Sequence, residues 1–120
     1  MLITINYIKD AGDIHNERIV MKSIQTGDIG NYICAISLLK DNNNISSKIQ
    51  YPYWFPDKII TEGATIVLYT KVGRSSERIN EDGSTSYFFY RGESTPIITP
   101  QSCAIIIEIA AWKQNHEFRN

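Results

Sequence analysis

Leucine and alanine, the residues that helices prefer, are scarce: 4 Leu and 6 Ala stand against 21 Ile, 3 Val and 8 Thr in 120 residues. β-Branched side chains favour strands, so the imbalance points to sheet. An excess of charge of one sign is also missing. Twelve Lys and Arg meet thirteen Asp and Glu, a formal net charge of -1, which leaves no overall field to hold a polyanion or a membrane surface and argues against nucleic acid as a partner. No stretch approaches the roughly 20 apolar residues of a membrane span, since even Ala104 to Trp112 is interrupted by Glu108. Only two cysteines occur, Cys34 and Cys103, and neither lies in the close pair that binds zinc or shuttles disulfides. Both sit in apolar alternation, where Cys acts as a small hydrophobe, and are expected as buried free thiols.

What is present is period-two alternation from end to end, bounded by turn residues, with 42% of the residues apolar, enough for one core. Leu2 to Lys9 reads as a first strand; it lacks a basic region and is too short for a signal core, so the chain is expected to be cytoplasmic, or secreted if a leader has been removed. Glu17 to Gln25 is the second strand. Thr26 to Gly30 turns the chain into Tyr32 to Leu39, whose two apolar faces suggest a central strand. Asp41 to Asn44 makes a polar turn, a weaker strand follows over Ile45 to Tyr51, and Pro52 and Pro56 confine the next segment to an edge or loop. Ala64 to Lys71 is a strong strand. Val72 to Ser86 is charged and holds the hairpin signal Asp82-Gly83, which predicts a long mobile connection. Ser86 to Arg91 and Ser102 to Trp112 complete the series. About seven or eight short strands fit an all-β, immunoglobulin-like sandwich of antiparallel sheets, one domain over 1–113, with a polar tail over 114–120.

Four places resemble the lamin tail domain, an immunoglobulin-like sandwich. Glu17-Arg18-Ile19-Val20 looks like the strand that opens that family's pattern. Asp28-Ile29-Gly30-Asn31-Tyr32 looks like its turn into an aromatic-headed strand, with Tyr32 where the family often has Trp. Tyr53-Trp54-Phe55-Pro56 is similar to its Y-x-F-P element, followed by Ile60-Thr61-Glu62-Gly63 and Thr65-Ile66-Val67-Leu68. Ser102 to Ile107 stands in place of the last apolar hairpin. The resemblance covers roughly residues 17–112, one domain's worth of chain, and implies a stable interaction module. The family's coiled-coil rods are missing, so a filament role does not carry over, and fold likeness names no ligand.

Residues in arrangements that carry chemistry are few. No Gly-rich phosphate loop or G-x-S-x-G elbow occurs, and His15 and His116 lack partners at metal-ligand spacing, so neither a metal nor a cofactor is expected. Asp41-Asn42-Asn43-Asn44 offers oxygens but not the Gly and distant Glu of a calcium loop. Glu17 and Glu108 could form a carboxylate pair in a small hydrolase if their strands were adjacent; the simpler account has each facing solvent or pairing with a cation. Two aromatic groups carry more weight: Tyr51, Tyr53, Trp54 and Phe55, and Tyr87 to Tyr90. Alternation cannot bury all of either group on one face. They either plug the sandwich ends or form, with Tyr53, Trp54, Tyr87 and Tyr90, a surface for a partner side chain, a glycan or a base. Arg74, Arg78 and Arg91 lie nearby among acidic residues, as in a solvated mixed-charge loop. The leading expectation is a non-catalytic module binding a protein partner or itself through aromatic surface and an open sheet edge.

Overall fold

Alternating β-branched residues write the strands, and their inward halves make one core. The computed structural model describes residues 1–41 and 44–120, so the predicted turn at Asn42 and Asn43 lies outside the described residues. The strands are β1 (Ile3–Lys9), β2 (Arg18–Ser23), β3 (Gly27–Asp28), β4 (Tyr32–Leu38), β5 (Gln50–Trp54), β6 (Ile59–Ile60), β7 (Thr65–Lys71), β8 (Ser76–Ile79), β9 (Thr85–Glu93) and β10 (Ser102–Glu108). A 3-10 turn, Ile29–Asn31, precedes β4, and no α-helix occurs among the described residues. The strands form a five-stranded sheet in the order β1-β2-β7-β9-β8, a three-stranded sheet β10-β4-β5, and the short pair β3-β6. The two larger sheets face each other as a β-sandwich across Ile3, Ile19, Met21, Ile66, Leu68, Tyr87 and Phe89 from one layer and Cys34 and Ile36 from the other. Each such buried aliphatic side chain contributes about 1.5–3 kcal/mol.

Most neighbours are antiparallel, as expected, but β7 and β9 run parallel, with Tyr69 opposite Tyr90 and Val67 opposite Phe88. The exception follows from connectivity. After β7 the chain passes over the end of β9 to lay down β8, then returns through a hairpin to place β9 between them. The crossing segment runs close over Tyr90: a Cβ at Gly73 would sit 2.3 Å from the Tyr90 ring. The charged segment Val72 to Ser86 is therefore not one long mobile connection. It contains β8, paired residue by residue with Thr85 to Phe88, and Gly83 takes the left-handed φ of 87° that the Asp82-Gly83 turn requires.

β4 is central in its sheet, as its two apolar faces suggest. The strand read over Ile45 to Tyr51 lies later, as β5, and keeps Pro52 because β5 is an edge. The last strand stops at Glu108 rather than Trp112; Ile109 still donates its N–H to Asn31 at 2.8 Å, after which the chain lies open to solvent without regular pairing.

Candidate functional site

Register decides which rings share a surface. On β9, Tyr87 and Phe89 point into the core while Phe88 and Tyr90 face out over the five-stranded sheet. Tyr87 is only 4% exposed. Tyr53 points inward, edge-on to Phe55 at 5.2 Å and near Phe89, while Trp54 points outward and is 46% exposed. Tyr90 stacks on Tyr69 at 5.2 Å with the planes 10° apart. The four rings singled out from sequence are thus distributed between the core and two opposite outer faces.

The arginines do not converge either. Arg74 is exposed in the crossing segment. Arg78 lies over the Phe88 ring at 5.4 Å on the outer face of the five-stranded sheet. Arg91 is on the inward side of β9 and half-buried, 5.8 Å from the Tyr51 ring, with its Nε lacking a hydrogen-bond partner. Burial holds its pKa below the ordinary guanidinium value. Its charge in turn acts on Cys34, whose thiol burial pushes up to about 12 against that opposing charge.

The two carboxylates also differ from expectation. Glu17 does not face solvent or a cation; it is fully buried. Its Oε1 accepts the N–H groups of Gly12 and Ile98 at 2.7 and 3.2 Å, and its Oε2 accepts the Thr70 hydroxyl and the Ile97 N–H at 2.6 and 3.0 Å. Every partner is a donor, so both carboxylate oxygens serve as acceptors. Glu108 is exposed and accepts the Tyr32 phenol at 2.7 Å; that phenol accepts the Leu2 N–H, and burial together with Glu108 raises its pKa. The carboxylates belong to separate hydrogen-bond networks and do not form an acid–base pair.

Cys34 and Cys103 are both free. Cys34 is buried opposite Ile106, whereas Cys103 is half-buried opposite Ser37, so adjacent strands turn the thiols to opposite faces of one sheet.

The surface that sequence reasoning missed is the outer face of the three-stranded sheet. Across β5, β4 and β10, Trp54, Ile33 and Ile107 stand in one partly exposed row, whereas Ala35 and Ser37, beside Ile105 and Cys103, are buried, the Ser37 hydroxyl donating to the Ser46 and Lys48 carbonyls that close this end of the face. None of these side chains is charged. Trp112, 59% exposed, packs edge-on to Trp54 at 5.1 Å, and Trp54 donates its indole N–H to Gly30 at 2.8 Å. A crevice of about 280 Å³ runs between this ring pair and the Gly30-Asn31 turn. A smaller cavity of about 150 Å³ lies on the other side of Phe55, between Pro56 to Lys58 and Ser75 to Glu77, over Tyr87 and Phe89. The Lys58–Glu77 ion pair, 2.9 Å, joins two of its lining residues. The signal for the outer face lay in the unbroken apolar runs of β4 and β10, which leave apolar residues on both sides of a sheet only three strands wide. Among the described residues, no helix is long and apolar enough to cross a membrane. Compared with models of known protein families, with curated proteins and with solved structures, the chain matches none of them.

Proposed function

We propose that this chain is a non-catalytic interaction module, built as a lamin-tail-like, immunoglobulin-like sandwich, that binds a protein strand along the three-stranded sheet. The observation that carries this reading is the uncharged row Trp54–Ile33–Ile107, extended by Trp112 and ending at an open sheet edge. Contiguous apolar surface of this kind marks binding sites rather than ordinary solvent-facing sheet. The lamin-tail likeness is supported by the way its motif residues meet: Asp28 Oδ1 accepts the N–H groups of Gly30 and Lys58, binding the turn before β4 to the segment after Pro56.

A protein strand is favoured over a glycan or a base. The faces of Tyr69 and Tyr90 are turned to each other, Lys71 and Arg18 lie over Tyr69, and the Gly73 crossing covers Tyr90, so that sheet offers no free pair of ring faces. The test is retention on immobilised wild-type chain compared with Trp54→Ala and Ile107→Thr, with Arg78→Ala as a control on the opposite sheet. A protein, distinct or a second copy, held by wild type and the control and lost from at least one of the two sheet variants supports the reading. Retention of none, or equal retention by all, overturns it.

A further inference from the structure

The edges of the two larger sheets are unequally guarded. β8 is short, fully exposed and carries Glu77 and Arg78. β5 contains Pro52, a register shift against β4 and a left-handed Tyr51 with φ 50°. β1 has a register shift between Ile5 and Tyr7 and ends on Lys9. These are the devices by which natural sheets refuse another strand. β10 has none of them: it pairs with β4 without a shift, contains no proline, and carries no charge before Glu108.

Its backbone is also presented for pairing. The Ile109 N–H bonds Asn31 and the Leu39 N–H bonds Gln101, both at 2.8 Å, within the continuous β10–β4 register. Odd-numbered residues from 101 to 109 therefore turn their N–H and C=O groups to β4, and even-numbered ones turn theirs to the open side. The Ser102 N–H is taken by Thr99 at 2.9 Å, and among the described residues the Ala104 carbonyl receives only the Cys103 thiol at 3.8 Å. Ala104, Ile106 and Glu108 thus offer the edge. β1, in the opposite layer, packs beside β10, tied to its end through Leu2, Tyr32 and Glu108, and no pairing joins the two strands.

Resting on the interaction-module reading, we propose that the strand received is β10 of a second copy, paired antiparallel about Ile105. Antiparallel pairing of identical strands is self-complementary by symmetry, and the outward groups allow only registers that oppose even residues to even residues. Centred on Ile105, Ala104 meets the partner's Ile106, Ser102 meets the partner's Glu108, and no like charges are opposed. Centring further towards the C-terminus shortens the pairing and, at Glu108, opposes two carboxylates. The chosen register also places Ile107 opposite the partner's Cys103, which sets the half-buried, uncharged outer rows of the two β10 strands side by side.

Sedimentation velocity across a concentration series tests the pairing, with the dimer expected at twice the 13.7 kDa chain mass. Ala104→Pro removes an outward N–H that β4 does not use, and is expected to return the mass to that of one chain. A non-hydrogen-bonded pair at the axis brings Cα atoms to about 4.5 Å, within disulfide reach. Ile105→Cys in a Cys103→Ser background is therefore expected to crosslink under mild oxidation, whereas Cys103 of the wild type is not. A monomer at all concentrations overturns the proposal, as does a dimer that survives Ala104→Pro and leaves Ile105→Cys uncrosslinked. A monomer that still retains a distinct protein, lost with Ala104→Pro, overturns self-pairing while sparing the interaction-module reading; retention of nothing overturns both.

Discussion

The Thr70 hydroxyl donates to Glu17 Oε2 at 2.6 Å inside the protein, joining the strong strand β7 to a carboxylate that also receives the Gly12, Ile97 and Ile98 N–H groups. One side chain thereby ties together the β1–β2 turn, β7 and the segment leading to β10. Such a carboxylate is structural: its oxygens are occupied, and it lines neither cavity. Glu17→Gln would turn an amide NH2 towards backbone donors and strip the charge from bonds that depend on it. A loss of about 3 kcal/mol is expected, against about 1–2 kcal/mol for Thr70→Val, which removes one donor. Urea unfolding midpoints check this. A Gln variant as stable as wild type would show that the carboxylate does not need to be charged.

The Asp28 carboxylate works on a smaller scale. Its Oδ1 accepts Gly30 N–H at 2.8 Å and Lys58 N–H at 3.0 Å, capping the 3-10 turn and holding the β5–β6 connection against it. Asp28→Ala is expected to cost about 1–2 kcal/mol, as loss of a cap does. Asp28→Asn retains a side-chain oxygen in the same place and is expected to recover most of that loss. Equal destabilisation by both substitutions would assign the effect to charge rather than to the acceptor.

How far these features could be read from sequence depends on the range of the contacts behind them. The alternation of Ile3, Ile5, Ile66, Leu68 and their neighbours is local, and so is the Asp82-Gly83 turn; both are legible one window at a time. The β7–β9 pairing is not local. Its two strands run parallel with β8 between them in sequence, and β8 exposes every residue, leaving no burial pattern to announce it. Glu17 shows the same gap: a carboxylate at a strand start looks like surface until Ile97 and Ile98, about eighty residues later, bring their N–H groups to it. The aromatic clusters were visible as composition. Their division between core and outer faces depended on register across three strands.

Gly73 provides a test of the crossing over β9. An added Cβ would lie 2.3 Å from Cδ1 and Cε1 of Tyr90, and that ring cannot swing away freely because Tyr69 is stacked against it. Gly73→Ala is expected to cost about 1–3 kcal/mol through overpacking. In a Tyr90→Ala background the same substitution should cost little, giving a positive coupling between the two sites. Additive losses in a thermal-unfolding double-mutant cycle would place the crossing away from Tyr90.

Alkaline stability should report on Cys34. Burial pushes its thiol from the ordinary value of 9.0 up to about 12, so below pH 9 the thiol is protonated in both folded and unfolded chains and its contribution is fully present. Between pH 9 and about 12 the unfolded chain releases the proton and the folded chain does not. Stability therefore falls as pH rises, by about 1.4 kcal/mol per pH unit from this group. The Tyr32 phenol, raised by burial and by Glu108, adds to the loss in the same direction at higher pH. Cys34→Ala removes the thiol at the cost of about 1 kcal/mol at neutral pH from the small void left behind. The variant is expected to start less stable, lose stability more slowly above pH 9, and overtake wild type before pH 11. Denaturant midpoints measured at pH 7, 9, 10 and 11 decide it: parallel curves for the two proteins would mean that the Cys34 thiol ionises as easily in the folded chain as in the unfolded one.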